Sequence, residues 1–191
     1  MHSRALYQEA INCFQSAILN APDYAEAFNN LGNSQQSLGL FSDALKSFQS
    51  AIKIAPNYAE AFNNLGNSQQ SLGLLNDALK SYQTAIKIAP DYILPHHNLG
   101  TLFQKTHRFL EAINSFQNVV NIMPGNPDSF DSYICLANTY YEIGNLEDAL
   151  QTFRNAQSLF KDSIEAQFGI VISQIPKIQP DTDQLMIFID L

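Results

Sequence analysis

The feature that most limits the fold of this sequence is a repeat of 34 residues. Residues 25–58 and 59–92 differ at only five of their 34 positions, so they are copies of one unit. A third unit, 93–126, keeps the same frame, and a fourth occupies 130–163 after a three-residue insertion. A fixed period of this length is typical of proteins that stack one small structural unit. The fold is therefore best predicted from the unit.

The two ends of the chain fit this frame only in part. Residues 1–24 match the second half of a unit and are interpreted as a partial repeat with the second helix only. Residues 164–191 begin as a fifth unit that Pro176 interrupts, and we interpret them as a degenerate or capping segment. The apolar residues 185–191 need a surface to cover, which the last hairpin, another copy of the chain or a further domain could supply.

Each unit has the pattern of a helical hairpin. In residues 25–58, a first apolar stripe with helical spacing includes Phe28 and Leu31. The members of the second stripe are Phe41, Ala44, Leu45, Phe48, Ile52 and Ala55. Gly39 marks the break because glycine can adopt the left-handed cap, and Pro56 ends the second helix because proline lacks an N–H donor. One hairpin cannot bury its apolar face alone, so we expect neighbouring units to stack.

Small residues recur where the paired helices should meet. Gly32, Ala44 and Ala51 would let the helices approach closely, while Phe48 or its counterpart Tyr82 fills the space beside them. We expect Phe48 to be fully buried, and its truncation to Ala would then cost about 3–5 kcal/mol.

The order of an aromatic residue, Leu-Gly, Gly, Ala, Phe or Tyr, Ala and Pro resembles the tetratricopeptide repeat. The resemblance covers about residues 5–170, although His107 stands where Gly is expected and Lys161 where Pro is expected. It implies an all-α fold, a right-handed α-α superhelix of antiparallel helix hairpins whose first helices line an inner groove. It also implies a protein–protein interaction module.

Charge and the remaining motifs exclude several other functions. The net charge of −8 repels phosphate and anionic lipid, so neither nucleic acid nor a membrane is an expected partner. Cys13 and Cys135 match no metal or redox spacing, which favours a cytoplasmic location, and Cys135 is read as an inert thiol or a reactive handle in the groove. His96 and His97 diverge on a helix, so we expect no metal site, no cofactor and no catalytic residue in this chain.

The first helix of each unit carries a polar face directed away from the hairpin core. Positions i, i+4, i+7 and i+11 share this face, and amides dominate it. The predicted peptide-binding residues are Glu26, Asn30, Asn33, Glu60, Asn64, Asn67, Asn98, Thr101, Lys105 and Asn138. Asn30, Asn64 and Asn98 could bond the backbone of an extended peptide, because an amide both donates and accepts. Alternatively, the amides are neutral surface residues that were copied with the repeat.

The charge of this face indicates the partner. Carboxylates outnumber Lys105, so the groove lacks the cations needed to clamp a C-terminal carboxylate. A neutral to mildly basic protein or peptide segment is the expected ligand.

Two further functions are open. The series Asn30, Asn64 and Asn98 is similar to the inward-facing Asn series in protein O-linked N-acetylglucosamine transferases, and residues 167–176 resemble the segment that joins repeats to the transferase domain in bacterial relatives. This resemblance implies a substrate-recruiting arm of a glycosyltransferase whose catalytic domain lies outside this sequence. The second alternative is a structural or self-associating spacer that pairs with other copies through its ends.

Overall fold

The computed structural model describes residues 2–160, and this part of the chain is helical throughout, with no β-strand. Its α-helices are α1 His2–Asn20, α2 Ala25–Ser37, α3 Phe41–Ile54, α4 Ala59–Ser71, α5 Leu75–Ile88, α6 Ile93–Lys105, α7 Phe109–Ile122, α8 Phe130–Glu142 and α9 Leu146–Leu159. The predicted all-α fold of helix hairpins is confirmed. No helix within residues 2–160 combines the length and apolar character that a membrane span requires. The predictions for residues 164–191 lie outside the described residues.

The chain divides into two compact units between Ile122 and Met123. In the first unit, α2 pairs with α3, α4 with α5 and α6 with α7, and each hairpin packs on the next through α3–α4 and α5–α6 contacts. Helix α1 packs on α2. In the second unit, α8 pairs with α9. Stacked hairpins bury the apolar stripes that a single hairpin would leave in water.

The hairpin turns depend on left-handed backbone conformations. Gly39 and Gly73 have φ of +77° and +76° in the first unit, and Gly144 has φ of +81° in the second. His107 adopts the same conformation with φ of +57°. Histidine at the expected glycine position therefore preserves the turn, although a side chain there is strained.

The close approach of paired helices rests on glycine against an aromatic ring. A Cβ atom added to Gly32 would lie 2.5 Å from the Phe48 ring, and one added to Gly66 would lie 2.5 Å from the Tyr82 ring. Phe48 is completely buried and Tyr82 is 1% exposed. The predicted packing role of the small residues and the burial of Phe48 are confirmed.

The outer sides of α3 and α5 are solvated. Lys46 lies 3.3 Å from Asp43, and Lys80 lies 4.0 Å from Asp77, with side chains that are at least half exposed. Exposed pairs of this kind contribute little to stability. The candidate functional face is instead the polar side of the first helices.

In the second unit, the three inserted residues form a 3₁₀ turn at Pro127–Ser129. The Asn126 side chain caps this turn by accepting a hydrogen bond from the Asp128 N–H at 2.9 Å. Leu136 and Phe153 form part of the buried core of the α8–α9 hairpin. The ring of Phe160 packs edge-on against Phe130, with centroids 5.1 Å apart.

Candidate peptide-binding face

Helices α2, α4 and α6 lie side by side in the first unit. We call the polar side that they share the α2–α4–α6 face. Its exposed members among the predicted residues are Glu26, Asn30, Glu60 and Lys105, and its half-buried members are Asn33, Asn64, Asn67, Asn98 and Thr101. The structure thus brings nine of the ten predicted residues onto three neighbouring helices, and their role in binding a peptide stays a prediction.

Asparagine side chains connect α4 to α2. The Asn64 amide nitrogen donates to the side-chain oxygens of Asn29 at 3.1 Å and Asn33 at 3.0 Å. Gln36 of α2 donates to the Asn64 backbone oxygen at 3.0 Å and to the Ser68 hydroxyl at 2.9 Å. Both N–H groups of the Asn64 amide are therefore used between repeats.

The same arrangement connects α6 to α4. The Asn98 amide nitrogen donates to the side-chain oxygens of Asn63 at 2.8 Å and Asn67 at 3.0 Å. The Asn67 oxygen also accepts from the Tyr82 hydroxyl at 2.8 Å. Asn98, like Asn64, thus has no spare donor for a ligand, although its side-chain oxygen has no donor within the described residues.

Other polar groups on the face remain available. The Asn30 side chain is exposed and makes no hydrogen bond within residues 2–160. Asn33 and Asn67 accept hydrogen bonds from the next repeat, and their amide nitrogens have no acceptor in the described part of the chain. Donors for a ligand are therefore concentrated at Asn30, Asn33 and Asn67, and an acceptor is offered by Asn98.

Asn29 and Asn63 belong to this network but were not predicted. Asn29 is completely buried and Asn63 is 2% exposed, because both point toward the neighbouring helix. Asn29 donates to the Glu60 carboxylate at 2.9 Å. The available signal was the adjacent pair of asparagines that recurs 34 residues later, since two neighbouring helix positions cannot both face away from the core.

Two tyrosines border the acidic end of the face. Burial raises the pKa of Tyr92 to about 12, and the nearby Glu60 carboxylate adds to this rise. Burial also raises the pKa of Tyr58, with further contributions from Glu60 and Glu26. The Glu60 carboxylate thus opposes a further negative charge on either tyrosine. These tyrosines were not predicted as members of the face. The signal that could have found them is their position immediately before α4 and α6, one period of 34 residues apart.

The tenth predicted residue, Asn138, is exposed on α8 in the second unit. Cys135 of the same helix is half-buried, and burial raises the pKa of its thiol to about 11, with a smaller contribution from Asp131. A raised pKa keeps the thiol protonated and slows its reactions. This favours the interpretation of Cys135 as an inert thiol.

The sequence predicts no metal site, and the candidate ligands His96 and His97 point to other partners. Within residues 2–160, no three His, Cys, Asp or Glu residues are placed to hold one ion. His96 is buried and donates to the Pro90 backbone oxygen at 2.9 Å, and His97 packs edge-on against Phe116. Both histidines therefore have packing roles in this hairpin.

Comparisons with known proteins agree with the helical architecture. Residues 25–58 and 59–92 each match the tetratricopeptide repeat. The structure of MamA superimposes with a TM-score of 0.73 at 22% identity, covering 81% of this chain and 89% of that chain. TTC0263 from Thermus thermophilus, a thermophilic tetratricopeptide protein, gives a TM-score of 0.68 at 21% identity, covering 87% of this chain and 90% of that chain.

A third similar structure is that of YrrB, described as a tetratricopeptide protein with an unusual peptide-binding site. It superimposes with a TM-score of 0.68 at 18% identity and covers 84% of this chain and 81% of that chain. No curated protein sequence matches the chain significantly. At these identities the structures establish the fold alone. The chain thus contains two tetratricopeptide repeats at residues 25–92 and has the all-α fold of tetratricopeptide repeat proteins.

Proposed function

We propose that this chain is a protein-interaction module that binds an extended peptide segment of a partner along the α2–α4–α6 face. The observation that carries the proposal is the set of polar groups left over after the repeats have bonded to one another. These are the Asn30 side chain, the amide nitrogens of Asn33 and Asn67, and the side-chain oxygen of Asn98. They recur from helix to helix, as the backbone groups of an extended chain do.

The spacing of these groups suits a peptide that crosses the helices. Adjacent packed helices lie about 8–10 Å apart, and an extended chain advances about 3.3 Å per residue. Each repeat would therefore contact about three peptide residues. Every contact adds about 0.5–1.5 kcal/mol, so several repeats are needed for useful affinity.

Charge favours a neutral to mildly basic segment. Glu26 and Glu60 are exposed near the starts of α2 and α4, and Lys105 lies at the end of α6. Burial raises the pKa of Tyr58 and of Tyr92, and the Glu60 carboxylate adds to both rises, so this end of the face carries negative charge. A peptide with Lys or Arg near Glu26 and Glu60 would bind with favourable electrostatics.

The test uses a random dodecapeptide library displayed on phage, selected against the immobilised chain. Binding of fluorescein-labelled selected peptides is then followed by fluorescence anisotropy. We expect Asn30→Ala to weaken binding about two- to tenfold, as the loss of one hydrogen bond predicts. The double variant Glu26→Gln with Glu60→Gln should weaken the binding of basic peptides further. The amide oxygen introduced by Glu60→Gln can still accept the hydrogen bond from Asn29, so the contact between repeats is kept.

Gln49 and Gln83 provide the matched control, because they are exposed amides on the second helices. Their double replacement by Ala should leave the affinity unchanged. Equal affinities for all these variants would contradict the proposed face. Asn64→Ala and Asn98→Ala are poor probes, since each would also remove hydrogen bonds between repeats.

The glycosyltransferase alternative has no support from the comparisons, and two members of its Asn series, Asn64 and Asn98, use their donors on the preceding repeat. The spacer alternative depends on the ends of the chain. The interaction role that we propose involves no catalytic step by this chain and is compatible with a cytoplasmic location.

A further inference from the structure

Four asparagine side chains and one carboxylate form a single chain of hydrogen bonds across α6, α4 and α2. The amide nitrogen of Asn98 donates to the Asn63 side-chain oxygen at 2.8 Å, and that of Asn63 donates to the Asn64 oxygen at 3.3 Å. Asn64 then donates to the Asn29 oxygen at 3.1 Å, and Asn29 donates to the Glu60 carboxylate at 2.9 Å. Every donor in this chain therefore points toward Glu60.

The Glu60 carboxylate fixes the orientation of these amides. A carboxylate only accepts hydrogen bonds, so Asn29 must turn its nitrogen toward Glu60 and its oxygen toward Asn64. Reversing any single amide of the chain would place two donors or two acceptors against each other. Such a mismatch is costly at Asn29 and Asn63, because both side chains are buried. A charged group at one end therefore sets the direction of the whole chain.

This direction determines which atoms of the face meet solvent. The oxygens of Asn33 and Asn67 accept from Asn64 and Asn98 at 3.0 Å each, and the Tyr82 hydroxyl gives Asn67 a second bond at 2.8 Å. Within residues 2–160, no buried side-chain nitrogen or oxygen lacks a hydrogen-bond partner. The unpaired amide nitrogens of Asn33 and Asn67 therefore reach solvent, as two donor groups one period apart.

Outward donors select a ligand that offers acceptors. Carboxylates suit this face poorly, since Glu26 and Glu60 lie on it. The neutral acceptors of a polypeptide are its backbone carbonyl groups, and a polyproline II helix leaves all of them free because it has no internal hydrogen bonds. Proline lacks the backbone N–H, which this donor-rich face needs least. A proline-rich segment therefore has the complementary chemistry.

The period of a polyproline II helix also matches the spacing of the repeats. Such a helix has three residues per turn and rises about 3.1 Å per residue, so equivalent carbonyl groups recur about every 9 Å. Adjacent packed helices lie about 8–10 Å apart. Equivalent groups of a β-strand recur about every 7 Å, which is too short for this spacing. Carbonyl groups i and i+3 of a polyproline II segment can thus meet Asn33 and Asn67 in the same geometry.

We propose that the α2–α4–α6 face binds proline-rich segments in the polyproline II conformation, with two carbonyl groups that accept from Asn33 and Asn67. This inference rests on the proposed peptide-binding function and names the chemistry of its ligand. A lysine or arginine beside the prolines adds attraction to Glu26 and Glu60. The prolines also lower the cost of binding, because their backbone is already ordered before it meets the face.

The first test compares two fluorescein-labelled dodecapeptides of equal charge by fluorescence anisotropy with the full chain. One peptide has a run of proline between two terminal lysines, and the other has alternating serine and glycine between the same lysines. We expect the proline peptide to bind at least about tenfold more tightly, because it is pre-organised and its carbonyl groups match the spacing of the donors. Equal or weaker binding of the proline peptide would overturn the proposal.

The second test changes the outward nitrogens in the double variant Asn33→Asp with Asn67→Asp. Aspartate keeps the oxygen that accepts from the next repeat but replaces the outward donor with an acceptor. Its negative charge alone would tighten the binding of a peptide that carries two lysines. We expect the opposite, a loss of about fivefold or more, as the removal of two hydrogen bonds predicts. Unchanged or tighter binding would show that these donors do not hold the peptide.

Gln49→Glu with Gln83→Glu is the matched control, because it adds the same charge at exposed positions of the second helices. It should leave the affinity for the proline peptide within about twofold. Circular dichroism checks that both double variants keep the helical fold, and the comparison of the two peptides does not depend on any variant.

Failure of this inference can be distinguished from failure of the proposed function. If Asn30→Ala weakens the library-selected peptides while the proline peptide does not bind, the function stands and the ligand class is wrong. If Asn30→Ala and the double variant Glu26→Gln with Glu60→Gln also leave the selected peptides unaffected, both proposals are wrong.

Discussion

The α4–α5 and α6–α7 hairpins have the same backbone arrangement but different buried side chains. In α4–α5, the Ser81 hydroxyl donates to Gln69 at 2.7 Å and links the two helices. In α6–α7, Phe103 replaces the glutamine, and Ser115 donates instead to the Glu111 backbone oxygen of its own helix at 2.8 Å. The contact between the two helices of a hairpin can therefore be made at this position either by a buried hydrogen bond or by an aromatic side chain.

Phe103, which replaces the glutamine, also contacts the turn of the α6–α7 hairpin. The Arg108 guanidinium lies 4.4 Å from the centre of the Phe103 ring and donates to the Glu111 carboxylate at 2.8 Å. The Arg108 backbone N–H donates to the Phe103 backbone oxygen at 2.9 Å, just as Leu74 donates to Gln69 in the other hairpin. Two features are unchanged between the hairpins, the glycine beneath the aromatic ring and the Asn that reaches the preceding repeat. Their persistence indicates which contacts determine the architecture.

The largest effect should come from the feature that the hairpins share. Gly66→Val and Gly100→Val would each place a side chain against a fully buried ring, at 2.5 and 2.6 Å from its nearest atom. We expect each change to lower the free energy of unfolding by about 3 kcal/mol, as overpacking does. Urea denaturation followed by circular dichroism measures this loss.

Gly73→Ala is the control for that experiment. An added Cβ at Gly73 meets no atom within 4 Å, so only the positive φ opposes the substitution. A cost of about 1 kcal/mol is expected there. If Gly66→Val cost no more than Gly73→Ala, close packing would not be the feature that the hairpins share.

A smaller effect should distinguish the two Asn contacts. Asn64→Ala leaves the Asn33 oxygen without a donor, because Phe48 has no hydroxyl group, and we expect a loss of about 2 kcal/mol. Asn98→Ala leaves the Asn67 oxygen still bonded to the Tyr82 hydroxyl, and the loss should be about 1 kcal/mol. The same denaturation measurement compares the two variants.

The Tyr82→Phe background tests this explanation directly. Without the hydroxyl, Asn98→Ala should become as costly as Asn64→Ala. An unchanged difference between the two variants in that background would show that Tyr82 does not compensate for the lost amide.

Much of the fold follows from the sequence because a 34-residue period, the turn glycines and the apolar stripes all specify one unit. The pairing of Asn64 with Asn29 and Asn33 does not follow, since it depends on the distance between helices of different repeats. A helical stripe shows which residues share a face but not which neighbour takes their hydrogen bonds. The free donors of the candidate site therefore became apparent only in three dimensions.

The smallest predicted effect concerns the turn between α6 and α7, where histidine stands at the position of the expected glycine. His107 has φ of +57°, a conformation that costs a residue with a Cβ about 1 kcal/mol or more, whereas Gly73 has +76° without that cost. His107→Gly should remove the strain but increase the entropy of the unfolded chain and lose the edge-on contact with Phe109, whose ring centroid lies 5.8 Å away. We expect a net gain of about 0.5 kcal/mol in the free energy of unfolding. His107→Ala separates the two contributions, because it removes the ring contact and retains the strain. A loss of stability in His107→Gly as large as that in His107→Ala would mean that the ring contact, rather than backbone strain, determines the stability of this turn.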